Sequence, residues 1–376
     1  MIRHILLLAP ALLLPVPAGT VWIGTGGAKG IYVSDLDTAS GRLGEPKLAA
    51  ALPGAGFQAL TADGKLIFST CSEGGGGVAA LRVKEGGMLD EINRQPTGGK
   101  GTCFVGVDAT GRCVLAANYG DGSVASFAVA DDGSLGGAAS LHKHQGSGPN
   151  LARQKEAHAH SFYPGPDNKF AYAPDLGIDK VMIYRMDVAT GKTEPAGAGV
   201  LPPGSGPRHL KFGRDGKHAY VLNELTLTVA VFEREPATGG LKPGAVVPVL
   251  PDGSDPEGMS CSEIRLSGDG KFAYTANRDT AGKGRDSVSV LEVAKDGGLK
   301  LLQTAPAGVK VPRNIGLDPS GRWLLVCGQE SNRVVVLKVD PASGRLSATG
   351  HGIDVDAPMC VTFAEGTLNS PGTDRR

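Results

Sequence analysis

One turn signature recurs along this chain about every 50 residues, and it constrains the fold more than any other feature of the sequence. Each copy joins two short apolar runs through a turn centred on Gly or Asn, residues that tolerate the positive φ of tight hairpins. The centres are Gly64, Gly111, Asn168, Gly216, Gly270 and Gly321, spaced by 47, 57, 48, 54 and 51 residues. A repeat of this length that contains only strand-like runs predicts a β-propeller with one blade per repeat.

A second turn signature, between the two outer strands of each repeat, counts seven blades. Its glycines are Gly41, Gly87, Gly133, Gly191, Gly239, Gly297 and Gly344. The first repeat has apolar runs at residues 21–24 and 31–34 but no inner strand before them, and one further run, residues 359–363, follows the seventh turn. Pairing of this C-terminal run with the N-terminal blade explains the mismatch and removes free sheet edges. We therefore predict an all-β, seven-bladed propeller closed by its C-terminal strand.

The ends of the chain are predicted to lie outside the propeller. Arg3, the apolar stretch 5–14 and the small residues 16–18 have the pattern of a signal peptide. A buried first strand is the alternative, but prolines at 10, 15 and 17 oppose it because proline cannot donate to a strand ladder. We predict a signal peptide over 1–18, the propeller domain over 19–364 and a disordered tail over 365–376. The mature protein is expected to be a monomer in the periplasm or outside the cell.

Composition excludes several partners. Lys and Arg total 38 and Asp and Glu total 38, so the chain has no basic excess with which to hold a nucleic acid. No stretch after the predicted signal is long and apolar enough to span a membrane, so we expect no membrane association after cleavage. The six cysteines form no CxxC pair and no zinc spacing, and are interpreted as small buried strand residues whose pairing the sequence does not determine.

The candidate catalytic residues are located by their distance from the first turn of each repeat. The two strands that flank it are antiparallel, so the start of the first strand and the end of the second lie at the same end of the blade. Residues eight positions before and after each turn centre should therefore form rings around one mouth of the central channel. Most members are ordinary, but repeats 4 to 7 contribute His160, Arg208, Glu224, Arg278 and Arg313.

Each of these residues also admits an ordinary interpretation. A single Glu or Arg at a strand end is usually a solvated charge. His158 and His160 share a strand face and could bind a metal, but no Asp, Glu or Cys nearby completes a familiar ligand set. We therefore predict no metal. A haem propeller is disfavoured because no CxxCH motif occurs.

Several runs of the sequence resemble one known family. Residues 158–161, 175–180, 206–210, 220–225, 262–265 and 276–278 are similar to the signatures of the propeller-type 6-phosphogluconolactonase family, which includes fungal carboxymuconate-lactonising enzymes. The resemblance covers roughly residues 20–364. It implies that His160, Arg208, Glu224 and Arg278 are the essential residues, the same four that turn counting selects. The chain departs from the family at Asp279, where the family usually has Gly, and a loop with Lys283 and Arg285 follows.

The resemblance implies a lactonase that acts on a small-molecule sugar lactone or related lactone without metal or cofactor. Glu224 or His160 would serve as general base, while Arg208 and Arg278 would hold the oxyanion or an anionic tail. Arg313, His158 and Asn223 are predicted to bind substrate. Two alternatives remain open: a muconate-type lactonising cycloisomerase, which would need the same groups, and a ligand-binding propeller without catalysis.

Overall fold

The computed structural model describes residues 19–27 and 29–364, and in this part of the chain seven antiparallel sheets follow one another as blades. The predicted signal peptide (1–18) and tail (365–376) lie outside the described residues. Successive blades contact one another through their inner strands in a complete circle, and between blades 4 and 5 the second strand of blade 4 makes the contact. The prediction of an all-β, seven-bladed propeller is therefore confirmed.

The strands of blades 1 to 3 are, in chain order, β1 (Thr20–Thr25), β2 (Gly30–Asp37), β3 (Arg42–Leu43), β4 (Lys47–Ala51), β5 (Gln58–Leu60), β6 (Leu66–Cys71), β7 (Gly77–Val83), β8 (Leu89–Pro96), β9 (Thr102–Val107), β10 (Cys113–Asn118), β11 (Ser123–Val129) and β12 (Leu135–Lys143). Two single-turn 3₁₀ segments, Glu73–Gly75 and Glu85–Gly87, interrupt blade 2. No helix among the described residues has the length and apolarity that a membrane crossing requires.

The strands of blades 4 to 7 are β13 (Tyr163–Pro164), β14 (Phe170–Asp175), β15 (Lys180–Asp187), β16 (Lys192–Val200), β17 (Pro207–Phe212), β18 (His218–Asn223), β19 (Thr228–Arg234), β20 (Leu241–Pro248), β21 (Met259–Leu266), β22 (Phe272–Asp279), β23 (Ser287–Val293), β24 (Leu299–Pro306), β25 (Pro312–Leu317), β26 (Trp323–Gly328), β27 (Arg333–Val339) and β28 (Leu346–Asp354).

Strand β29 (Pro358–Phe363) closes the ring. It pairs antiparallel with β1, with Val21 opposite Phe363 and Ile23 opposite Val361. The last strand of the propeller is thus the innermost strand of the first blade, as the two turn counts predicted.

Each blade packs against the outer turn of the next one. The Trp22 indole in blade 1 donates to the carbonyl of Gly87 in blade 2 (2.7 Å), and the Tyr172 hydroxyl in blade 4 donates to that of Gly239 in blade 5 (2.9 Å). Both aromatic side chains are fully buried. The glycines of the second turn signature therefore belong to the interfaces between blades, because a hairpin without a side chain can approach a neighbouring ring closely.

A β-bulge recurs on the inner strands, at the ring position found by turn counting. In blades 3, 5, 6 and 7 the ladder skips one residue there, which is Cys103, Arg208, Ser262 and Arg313 respectively. A bulged residue has no partner opposite it, and the local bend re-aims its side chain. The predicted plain hairpins are thus interrupted at this position. Blade 4 differs, because His160 precedes the short β13, in extended chain whose N–H donates to the carbonyl of Pro174 (3.0 Å).

Candidate active site

A cleft of about 590 Å³ opens at the mouth of the central channel where the inner strands begin. Predicted site residues His160, Glu224, Arg278 and Arg313 all line it. They come from four different blades, 4 to 7, and meet because the blades converge on one axis. Turn counting therefore placed these four at the correct end of the molecule.

Glu224 is the centre of an ion-pair cluster in this cleft. Its Oε1 accepts a hydrogen bond from Nη2 of Arg153 (2.7 Å). Its Oε2 lies 3.0 Å from Nε of Arg208 and 3.2 Å from Nη2 of Arg278. The Arg208 N–H is not aimed at the carboxylate oxygen, so this contact is an ion pair without a well-formed hydrogen bond. One carboxylate thus holds three guanidinium groups in place.

The surrounding charges keep Glu224 ionised. Its side chain is 3% exposed, and burial alone would raise the pKa of the carboxyl group. The charges of Arg278, Arg208 and Arg153, in that order, outweigh burial and lower that pKa to about 2. In the free protein Glu224 is therefore a weakly basic anchor for the arginines.

Arg208 lies beneath the open cleft. It is buried and lines a small chamber that shares Cys103, His160 and Arg313 with the cleft. Its Nη1 finds no hydrogen-bond partner among the described residues. The four side chains predicted to converge therefore lie at two depths. His160, Glu224 and Arg278 line the cleft, and Arg208 lies at its floor in contact with Glu224.

His160 lies in the wall between the cleft and the chamber. Its Nδ1 is 3.9 Å from the sulfur of Cys103, and its ring meets the ring of Tyr119 edge-on at 5.4 Å. Burial, and next the charge of Arg208, hold the pKa of His160 well below its ordinary value of 6.5. The imidazole is therefore neutral at physiological pH and can accept or relay a proton.

Arg313 makes no side-chain hydrogen bond or ion pair with any described residue. Burial, followed by the charges of Arg208 and Arg278, lowers the pKa of Arg313 to about 9, so the group remains protonated at neutral pH. With Arg153, four guanidinium groups surround the single carboxylate of Glu224. The cleft and its floor therefore carry three uncompensated positive charges, four minus one.

The other two predicted substrate contacts do not line the cleft. The His158 ring stacks on Tyr119 with centroids 4.6 Å apart, and its Nδ1 contacts the Tyr119 carbonyl oxygen at 2.8 Å. Asn223 is fully buried and donates to the hydroxyl of Thr228 (2.9 Å), because side chains alternate along β18 and its neighbour Glu224 takes the inward direction. In the described structure His158 packs on the cleft residue Tyr119, and Asn223 directly precedes the cleft residue Glu224.

Turn counting missed Arg153. This residue lies in the connection between β12 and β13, residues 144–162, ahead of the counted residue His160, so no counted position falls on it. The available signal was the 57-residue spacing between the turns of blades 3 and 4, the longest of the five. Tyr119 is inside the counted ring, but no charge distinguishes it from the ordinary members; its hydroxyl accepts from Arg153 at 3.1 Å.

The departure from the family pattern at Asp279 does not displace Arg278. The Asp279 carboxylate instead binds Arg285, with 2.9 Å between Oδ1 and Nη2. Arg285 also reaches the side chain of Asp255 (2.9 Å), so it ties its loop to the chain that precedes β21. Arg278 remains free to face Glu224.

Residues 19–27 and 29–364 contain no group of three or more His, Cys, Asp or Glu side chains placed to hold a metal ion. His158 stacks on the Tyr119 ring, whereas His160 meets that ring edge-on, so the two imidazoles make different contacts. All six cysteines lie within these residues and are free thiols, five of them buried.

Comparison with known proteins relates the chain to one family, both by sequence and by structure. Residues 20–363 match the family described as lactonase, 7-bladed beta-propeller. The chain is 35% identical over 348 residues to a protein of Bacillus subtilis named 6-phosphogluconolactonase, covering 91% of this chain and 97% of that one. A Formosa agariphila protein of the same name is 31% identical, with 84% and 90% covered. The solved structure of the Pseudomonas aeruginosa periplasmic gluconolactonase superposes with a TM-score of 0.85 at 30% identity, with 92% and 98% covered.

Proposed function

Because the chain belongs to the seven-bladed β-propeller lactonase family, we propose that it is a lactone hydrolase whose substrate carries an acidic group. The observation that supports this choice is the charge of the cleft and its floor, where three guanidinium groups pair with the one carboxylate and a fourth, Arg313, has no partner among the described residues. A buried excess of positive charge is costly unless an anion completes it. A sugar lactone or related lactone with a phosphate or carboxylate would supply that anion.

The arginines are assigned two tasks. Arg313 has no hydrogen-bond or ion-pair partner among the described residues, and Arg153 is 39% exposed at the cleft. These two guanidinium groups would bind the acidic tail, since planar donor forks match phosphate and carboxylate geometry. Arg208 and Arg278 face Glu224 and would stabilise the oxyanion that forms when water attacks the lactone carbonyl. No metal or organic cofactor has a role in this mechanism.

Glu224 and His160 are the candidate acid and base that line the cleft. Both are poor bases in the free protein: burial, and next the charge of Arg208, lower the pKa of His160, while the charges of Arg278, Arg208 and Arg153 lower the pKa of Glu224. A bound anion would offset those charges and raise the pKa of both groups, which favours proton transfer only when substrate is present.

A lactone panel followed by pH-stat titration tests this function. We expect hydrolysis of a phosphorylated aldonolactone with a lower KM than its unphosphorylated counterpart, because the two differ only in the anion. Activity should survive exhaustive chelation. A muconate added in a separate arm tests the lactonising alternative. Failure to open any lactone would contradict the proposal, and loss of activity to chelator with recovery on one divalent ion would overturn the metal-free mechanism.

We also propose that the protein is exported as a monomer after removal of residues 1–18. The pattern of Arg3 and the apolar stretch 5–14 supports export, and a structural relative is described as periplasmic. N-terminal sequencing of protein from the native host should find a start near Gly19 in the exported fraction. Recovery of Met1 on cytoplasmic material would contradict this.

A further inference from the structure

A buried histidine–carboxylate hydrogen bond lies in the central channel directly beneath the cleft. Nδ1 of His209 is 3.0 Å from Oε1 of Glu263, and the two side chains are 2% and 0% exposed. His209 follows the bulged Arg208 on β17, and Glu263 lies on β21 of the next blade. Both residues belong to distinctive sequence runs, 206–210 and 262–265, yet the reaction described above uses neither.

The hydrogen bonds of Glu263 determine the tautomer of His209. Oε1 also accepts from the N–H of Ile264 (3.0 Å), and Oε2 accepts from Nδ2 of Asn314 (2.6 Å). Burial raises the pKa of Glu263, but the charge of Arg265, the hydrogen bond from His209 and the charge of Lys211 hold it far below its usual range, so the group is ionised. An ionised carboxylate can only accept hydrogen bonds. Nδ1 of His209 must therefore donate, which leaves the lone pair on Nε2.

The ring that carries this lone pair lines the chamber at the cleft floor, and its Nε2 is buried without a hydrogen-bond partner among the described residues. Nη1 of Arg208, another lining residue, is buried and equally unpartnered. The chamber admits about one water-sized sphere. An acceptor and a cationic donor facing such a space are the partners that a single water molecule requires.

We propose that His209, oriented by Glu263, holds the attacking water together with Arg208 and accepts its proton. This inference rests on the proposed lactone hydrolysis. As the water oxygen bonds to the lactone carbonyl carbon, its O–H bond breaks and the proton moves to Nε2, while the carbonyl π electrons move onto oxygen. When the ring C–O bond then breaks, the departing alkoxide takes that proton and the hydroxy acid is complete.

The surroundings favour His209 over Glu224 for this step. The Glu224 oxygens are occupied by Arg153, Arg208 and Arg278, and proton uptake there would release those pairs. Burial lowers the pKa of His209 to about 3, and the carboxylate of Glu263 opposes that shift. Proton uptake at His209 therefore creates an imidazolium beside a carboxylate and releases no arginine pair. A carboxylate that fixes the tautomer of a histidine and stabilises its protonated form is an established arrangement for a general base in hydrolases.

The discriminating variant is His209→Asn. The Asn amide keeps a donor near the position of Nδ1 and so preserves the bond to Glu263, but it has no acceptor at the position of Nε2. We expect kcat to fall by about 10²–10⁴-fold, with KM within about two-fold of wild type because the cleft arginines are unchanged. His144→Asn is the matched control, since His144 also makes a buried pair with a carboxylate, Asp175 (2.6 Å), and its Nε2 is already bonded to Tyr184 (2.8 Å). Its kcat should stay near wild type.

A second variant, Glu263→Gln, tests the same step through the pH profile. It keeps the shape of the partner but removes the charge that stabilises the imidazolium, so the acid limb of kcat/KM should shift to lower pH. His160, Arg208, Lys211 and Arg265 also face the pair, and none of them is altered. This variant decides the question if His209→Asn does not fold.

The outcomes separate the two proposals. If wild-type protein opens no lactone, the proposed function fails. If wild type is active and folded His209→Asn keeps its kcat, or changes only KM, His209 is not the proton acceptor. An unmoved acid limb in Glu263→Gln, with wild-type kcat, would equally exclude His209 from that role.

Discussion

The carboxylate of Glu224 owes its ionisation to the guanidinium groups that share it. Burial and ion pairing act on its pKa in opposite directions, and pairing prevails. The reverse dependence also holds, because three arginines at the cleft and its floor rely on this carboxylate as their counter-charge. Loss of one charge therefore affects the whole cluster, so we expect Glu224 to contribute to stability as well as to the proposed chemistry.

We expect Glu224 to give the protein a measurable dependence of stability on pH. Its pKa is about 2 in the folded protein against an ordinary 4.5, so its stabilising contribution is complete above about pH 4.5 and is lost as the pH falls towards about 2. Glu224→Gln should lower the free energy of unfolding by about 3–5 kcal/mol at pH 7, because a buried pair loses one partner. That difference should close at low pH, where the wild-type carboxyl is also neutral.

Thermal melts of both proteins between pH 2 and pH 7 measure this difference. Glu233→Gln is the matched control, since Glu233 lies in the same blade, is 66% exposed and pairs only loosely with Lys242 (3.6 Å). Its melting temperature should track wild type at every pH. A constant gap between wild type and Glu224→Gln would show that ionisation is not the source of the stabilisation.

At the scale of the element, counting found the ring residues because position along a strand is a local property. The distance from a turn decides which end of the blade a residue reaches, and that gave His160, Glu224, Arg278 and Arg313 their place. The bulge at Arg208 was not predicted, because the apolar residues of β17, Leu210 and Phe212, both lie after it and their alternation does not record it. The bulge turns Arg208 inward at the chamber and leaves His209 beside it on the same lining.

The long connection 144–162 carries the residue that counting could not place, and we expect Arg153 to contribute to substrate affinity. Arg153→Ala removes the bonds to Glu224 and Tyr119. The variant would also lose the proposed hydrogen bond from Arg153 to the acidic group of the substrate. A hydrogen bond to a charged group is worth about 1.5–3 kcal/mol, so kcat/KM for an anionic lactone should fall by about 10- to 100-fold. Steady-state kinetics on the phosphorylated lactone measure the loss.

Arg112→Ala is the control for this variant. Arg112 pairs with Asp131 on the surface, where the two side chains are 65% and 94% exposed, and such pairs contribute little. If both variants show equal kinetics, the Arg153 side chain has no part in substrate binding.

Across the whole molecule, the outer-turn glycines join the blades into one body. At Gly239, in blade 5, an added Cβ would lie 2.5 Å from ring carbons of Phe170 in blade 4. At Gly321, in a first turn with almost the same φ (+70° against +75°), an added Cβ would meet nothing within 4 Å. Turn chemistry made the blade count predictable, but the contact between turn and neighbouring blade depends on the assembled ring and was not visible in the sequence.

This pair of glycines allows the interface to be separated from backbone strain. Gly239→Ala and Gly321→Ala should both cost about 1–2 kcal/mol for a left-handed residue with a side chain. Gly239→Ala should cost a further 1–3 kcal/mol or so, because the new methyl group overpacks the interface between blades. Urea unfolding of the two variants measures the difference, and equal midpoints would contradict an interlock at this turn.

The closure of the ring through β29 also sets an order in time. These six residues are the last of the described propeller to be synthesised, yet they complete its first blade. Until the ribosome has released them, β1 keeps one edge unpaired and the circle of blades remains open between its two ends. The middle blades can form beforehand from hairpins that are local in sequence. The cleft takes its final shape when the blades converge on a common axis, so the site is complete only after β29 has paired with β1.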